Sequence, residues 1–138
     1  MAKTKGVAYW KNRAWKMFSK YIRLRDAIKT TGTKTHLICC TCDKPHAIHG
    51  YGCAQAGHFI PGRMNMVLYS EEQVHGQCVS CNKYKNGNWP NYLLFMRQTH
   101  TQDEIDDMII KSKKTLHMTA QEHKEIYEYY KAKLEELK

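Results

Sequence analysis

An α+β fold is predicted by three features of this 138-residue sequence. Residues 7–29 carry an apolar stripe of helical period, the middle is rich in Gly and Cys with two Cys-x-x-Cys pairs, and two helix-start signatures lie near the C-terminus. The expected architecture is a small zinc-stabilised core flanked by N-terminal and C-terminal helices. It reads as a single domain over 1–138, with a basic helix over 7–30, the core over 34–88 and helices over 89–138. An apolar content of 42% suffices for a modest core.

The first element is the clearest. Trp10, Ala14, Met17, Tyr21, Leu24 and Ile28 recur every three or four residues and form one stripe. Lys11, Lys16, Lys20, Arg23 and Arg25 decorate the other faces, as a solvated surface or as one that also contacts phosphates. Gly32 is the expected C-cap. In the middle, strands near 55–59 and 72–77 should pair as a hairpin whose loop carries Pro61, Gly62 and Arg63, and a helix should begin near Cys81. Beyond Trp89, Tyr92, Leu93 and Met96 mark a short helix. Thr101-x-x-Glu104 and Thr119-x-x-Glu122 fit capping boxes and predict helices over 102–114 and 120–137. Tyr127, Tyr130, Leu134 and Leu137 give the last helix its apolar stripe.

The formal net charge is +9, which favours a polyanionic partner, usually nucleic acid. The charge is uneven. Residues 1–30 hold nine Lys/Arg and one acid, residues 31–100 six and three, residues 101–138 seven and nine. The phosphate-facing surface is therefore expected on the first two thirds, with the acidic tail facing away or binding protein. No apolar run approaches membrane-spanning length, and no apolar leader segment follows Met1 to Lys5. In such a chain six cysteines read as metal ligands and free thiols rather than disulfides.

Cys39, Cys42, Cys78 and Cys81 are the expected ligands of one structural Zn²⁺. Each Cys-x-x-Cys turns two thiolates toward one point, and a tetrahedral ion wants four. Thirty-five residues separate the pairs, room for a hairpin between a knuckle and a helix start. Cys40 competes with Cys39 for a place in this set, and Cys53 reads as a small buried or free thiol.

In a knuckle–hairpin–helix arrangement, His58 sits on the first hairpin strand and Asn82 in the first helical turn, and the shared zinc draws them together. That pairing suits phosphodiester hydrolysis. A neutral imidazole can take a proton from water, and an amide oxygen is a fair donor to Mg²⁺ or Mn²⁺. Asn86 lies one helical turn beyond Asn82 and is a second candidate ligand. Arg63, Lys83 and Lys85 are placed to hold phosphate oxygens, Arg bidentately. Asn82 also fits a helix N-cap, and His75 fits either a structural hydrogen bond or a phosphate or metal contact. His36, His46, His49, His100, His117 and His123 have no supporting pattern and are expected at the surface.

These motifs resemble the phage NinG/Rap recombination proteins. The resemblance rests on Cys39-x-x-Cys42, then Gln55-Ala-Gly-His58-Phe-Ile-Pro-Gly-Arg63, then Val74-His-Gly-Gln-Cys78-x-x-Cys81-Asn82-Lys-x-Lys85-x-Gly87-Asn88, and covers roughly residues 10–100. It implies a metal-dependent, structure-specific DNA endonuclease acting on branched recombination intermediates, Holliday junctions and D-loops. It also implies a treble-clef (ββα-metal) core of the HNH-like, His-Me finger type. By that likeness His58 is the general base, Asn82 the ligand of a catalytic Mg²⁺ or Mn²⁺, and Arg63 a phosphate-holding residue. Where many such enzymes carry Asp or His before the base this chain has Gly57, so Asn86, Gln55, His75 or water fills the metal shell. Gln73 stands where many carry Asn, and with His75 is given a supporting role. Branched or duplex DNA is the expected partner, with a homodimer and recombination proteins as further ones and no membrane. The expected location is the cytoplasm of the host bacterial cell. The alternative is a non-catalytic zinc-containing recombination adaptor that binds nucleic acid.

Overall fold

The computed structural model describes residues 4–62 and 64–138, so Arg63 lies outside the described residues. Helix α1 spans Val7–Thr31 and stops where Gly32 turns left-handed (φ 73°) and its N–H closes on the Ile28 carbonyl at 3.0 Å. A residue with a Cβ is sterically disfavoured in that conformation, which is why glycine stops this helix well. The buried face of α1 is Ala14, Phe18, Tyr21, Ile22, Leu24, Asp26 and Ala27. It is rotated from the expected stripe: Trp10, Met17 and Ile28 are only half-buried, while Phe18 and Ile22 are sealed.

Two small antiparallel sheets follow. Strand β1 (His36–Ile38) pairs with β2 (Pro45–Ala47), and β3 (Gln55–His58) pairs with β4 (Val74–Gln77). The second pair is the expected hairpin, in the register Gln55↔Gln77, Gly57↔His75 and His58↔Val74. Its connection also carries a short helix, α2 (Asn65–Leu68), which the loop composition does not predict.

The element near Cys81 departs from expectation. It is one π-type turn, Ser80–Tyr84, not a regular helix. Asn86, Gly87 and Asn88 then take three consecutive left-handed conformations (φ 50°, 87° and 50°). Asn tolerates this region better than other non-glycine residues, so the sequence suits the bend. Asn82 caps nothing here, since Val79 precedes the turn and Asn88 precedes the next helix. Helix α3 is Trp89–Arg97, α4 is Gln102–Ser112 and α5 is Ala120–Leu137. Both capping boxes are present in full, with the Thr hydroxyl and Glu carboxylate bonded reciprocally to backbone N–H groups.

The core is divided. Phe59, Val67, Tyr92, Met96 and Ile105 pack under α3 and α4. Phe18, Tyr21, Ile22, Val74 and Tyr130 join α1 and α5 to the hairpin. Leu24, Ala27, Leu37, Ile48 and Leu134 join the same helices to the first sheet. Thus α1 and α5 form a back wall, and the two small sheets stand on it. Among the described residues no helix is long and apolar enough to cross a membrane.

Candidate metal centre and adjoining pocket

Cys39 lies one residue past β1, where the chain reverses. Its N–H bonds the Lys44 carbonyl at 2.9 Å, and its carbonyl accepts the Asp43 N–H at 2.9 Å, with Asp43 left-handed (φ 60°). This knuckle aims Cys39 and Cys42 at Cys78 and Cys81, which bracket the start of the π-turn. The four sulfurs lie within 4.8 Å of one another. Sulfurs at about 2.3 Å around a tetrahedral Zn²⁺ would stand about 3.8 Å apart, and Cys42 Sγ and Cys78 Sγ are 3.8 Å apart. The donors fit zinc, and the cluster could hold one ion.

The thiol acidities suit such a centre. Burial alone would raise Cys39, but the Thr41 hydroxyl at 3.3 Å and nearby backbone N–H groups bring it down to about 7. Burial lifts Cys42 to about 12, and its contacts with Cys39 and Cys78 add to the rise. A lowered thiol beside raised ones is a cluster that a cation would stabilise in its deprotonated form. Cys81 Sγ accepts from Asn88 Nδ2 at 3.5 Å, tying the far end of the loop to the sulfurs.

The two remaining cysteines resolve plainly. Cys40 packs beside the α3–α4 core rather than joining the sulfurs, and burial holds its thiol far above the ordinary range. Cys53 is half-buried, with Arg23 Nη1 at 3.7 Å from its sulfur.

Against this centre lies an open pocket of about 320 Å³ lined by His58, Phe59, Pro61, Gly62, Asn82, Asn86, Gly87 and Trp89. Asn82 also lines a neighbouring hollow with Trp15, Ser19, Arg23 and Gln55, so it stands at the junction of the two. His58 is well anchored. Its ring stacks on Trp15 (4.9 Å between centroids, 21° between planes), and its Nε2 is 3.2 Å from the Leu68 carbonyl. That oxygen only accepts, so Nε2 carries a proton. Asn82 Nδ2 donates to Gln55 Oε1 at 2.7 Å, with its Oδ1 turned away from Gln55.

Several expected site residues have other work. The Arg25 guanidinium pairs with Asp26 (2.8 Å) and donates to the Glu71 and Val74 carbonyls, each at 2.9 Å. It therefore braces the hairpin against α1 instead of facing a phosphate. His75 takes the structural role: it sits 3.2 Å from the Tyr92 hydroxyl, which bonds the Gly57 carbonyl at 2.7 Å. Burial lowers His75 to about 4, so it is neutral near pH 7. Gln73 closes the hairpin through its backbone carbonyl, which accepts from Phe59 N at 2.8 Å and Tyr92 Oη at 3.1 Å. Its side chain lines a hollow beside α4, away from His58. His123, expected at the surface, is fully buried and bonded to the Tyr69 hydroxyl at 2.8 Å, because α5 packs there. Gln55 orients Asn82. Lys83 and Lys85 are exposed on and just past the π-turn, and Arg23 lines the neighbouring hollow while donating to the Ile48 carbonyl at 2.9 Å.

The pocket depends as much on residues that carry little signal in the sequence. Trp15 falls outside the helical stripe expected for α1. Leu68 belongs to a helix that the loop composition hides.

Fold and site together define a small α+β domain with a four-cysteine cluster that could hold a metal ion and an adjoining pocket. The family model described as "Bacteriophage Lambda NinG protein" matches residues 1–138, and the chain belongs to this family. It is 28% identical over 133 residues to protein ninG of Escherichia phage lambda, a match covering 95% of this chain and 58% of that protein. The corresponding proteins of Escherichia phage 933W and Salmonella phage P22 are 27% and 26% identical, each over 95% of this chain and 59% of their own length. The chain thus spans less than two thirds of the relatives it matches. No solved structure matches it.

Proposed function

We propose that this chain is a metal-dependent DNA endonuclease that cuts branched recombination intermediates such as Holliday junctions and D-loops. On this reading the core is a treble-clef, HNH-like (His-Me finger) site working in the cytoplasm of the phage's bacterial host. One observation carries the proposal: His58, Asn82 and Asn86 line a single pocket beside the four-sulfur centre.

In this reading His58 accepts the proton of an attacking water at Nδ1. The Leu68 carbonyl keeps the other ring nitrogen protonated, and Trp15 holds the ring plane. Asn82 and Asn86 offer amide oxygens to a divalent cation. When bound, Mg²⁺ or Mn²⁺ supplies charge stabilisation at the scissile phosphate and its leaving oxygen. Arg63, Lys83 and Lys85 hold flanking phosphate oxygens, and Trp89 and Tyr84 offer exposed rings near the pocket to unpaired bases at a branch. Preference for junctions follows if two copies present their basic surfaces together.

The test is cleavage of a labelled four-way junction with Mg²⁺ or Mn²⁺, comparing the unaltered protein with His58→Ala and measuring binding in parallel. Cutting should fall about a hundredfold or more in His58→Ala with binding unchanged. Tight binding with no cutting by either protein would instead favour a zinc-containing recombination adaptor, a reading that the basic charge and the cysteines support equally well.

A further inference from the structure

Gly57 has no side chain because its space is taken. A Cβ there would run into the Gln77 carboxamide and come within 3.0 Å of Asn82 Oδ1. Gln77 is fully buried. Its Nε2 donates to Thr41 Oγ1 at 3.1 Å and to the Gly87 carbonyl at 2.9 Å. The Gly87 oxygen only accepts, so the amide cannot be turned over, and Oε1 must face Gly57. Among the described residues no group donates to that oxygen. Asn82 Nδ2 donates to Gln55 Oε1, and its Oδ1 faces the same point above Gly57.

Two amide oxygens thus converge above Gly57 with no donor hydrogen given to the buried one. Leaving such an oxygen unbonded is costly. Hard divalent cations take neutral amide oxygens of this kind as ligands. We infer that Gln77 Oε1 is a further protein ligand, beside the Asn82 and Asn86 amides, of the divalent cation held next to His58. This rests on the nuclease reading above and deepens it. The glycine before the base and the glutamine before Cys78 are then one device, with the ligand delivered from β4 instead of β3. The inference has a chemical corollary. A shell of neutral amides leaves the ion's charge uncompensated, so the free protein holds it weakly, and a DNA phosphate completes the site.

The experiment uses the full chain, zinc-loaded and labelled with ¹³C, titrated with Mg²⁺ alone. The side-chain carbonyl resonances of Gln77 and Asn82 should shift along one common titration curve, while those of Gln98 and Gln121 stay still. Gln77→Met, checked for unchanged zinc content, should weaken Mg²⁺ binding about tenfold or more. Movement of Asn82 without Gln77, or equal affinity in Gln77→Met, would overturn the inference and leave the nuclease reading standing. No movement of either amide up to tens of millimolar Mg²⁺ would remove the cation from Asn82 itself, and both ideas would go. The resonance test on unaltered protein decides the matter even where Gln77→Met fails to fold.

Discussion

Asp26 shows how a single side chain can hold two elements in register. It lies on the buried face of α1 at 5% exposure, yet its carboxylate accepts the Gly76 N–H at 2.7 Å and pairs with Arg25. Removing it strands a buried N–H and takes the counter-charge from a largely buried guanidinium. Asp26→Ala should cost about 3 kcal/mol, read as a lower urea midpoint with unchanged slope. Gly57→Ala should also destabilise, although alanine is ordinarily harmless in a strand, because the added methyl meets Gln77. His75 sets a pH dependence. Its pKa is about 4 in the folded chain, chiefly through burial, and near 6.5 when unfolded. Between those values the unfolded chain binds the extra proton, so stability falls as pH drops from about 6.5 toward 4 and is flat above. Urea midpoints on either side of about pH 5 should differ, and His75→Phe should narrow the difference; His123, also lowered by burial, keeps part of it.

The long helices were legible, and α2 and the π-turn were not. Capping boxes are local chemistry, so Thr101 and Thr119 marked α4 and α5 correctly. Thr119→Ala should lower stability by about 1 kcal/mol, measurable as loss of helical circular dichroism at lower temperature. The sulfur cluster was legible because ligand spacing is itself a sequence property. What escaped was set by packing across distant segments. Asp26 reads as a surface acid on α1 until Gly76 is brought beside it. Gln77 reads as a strand residue until Thr41 and Gly87 fix its amide. The π-turn escaped because nothing local distinguishes Ser80–Tyr84 from an α-helix; its extra residue follows from holding Cys81 on the sulfurs while Gly87 N reaches the Cys81 and Asn82 carbonyls. Removing the cluster's metal with a chelator should unravel this turn and the Cys39 knuckle first, while α1 and α5 keep their mutual packing. Hydrogen exchange would show loss of protection at Asn82 and Gly87 before Ile22.

For the molecule as a whole, the formal charge of +9 and the pocket geometry bear separately on the DNA reading proposed above. Charge governs affinity, and neutralising one phosphate-binding cation should reduce the salt slope by about 1. Lys83→Gln, at an exposed position on the π-turn, should do this. Arg25→Gln should leave the slope alone and lower stability, because its guanidinium is committed to Asp26, Glu71 and Val74. Binding isotherms at several salt concentrations separate these outcomes.

Gln77 precedes Cys78, and Asn82 follows Cys81, so each amide is the covalent neighbour of a sulfur. On the reading proposed above, that adjacency couples the two sites. Whatever draws the four sulfurs together also sets where the two amides stand, so a chain stripped of the cluster's metal should lose the pocket's geometry along with the Cys39 knuckle.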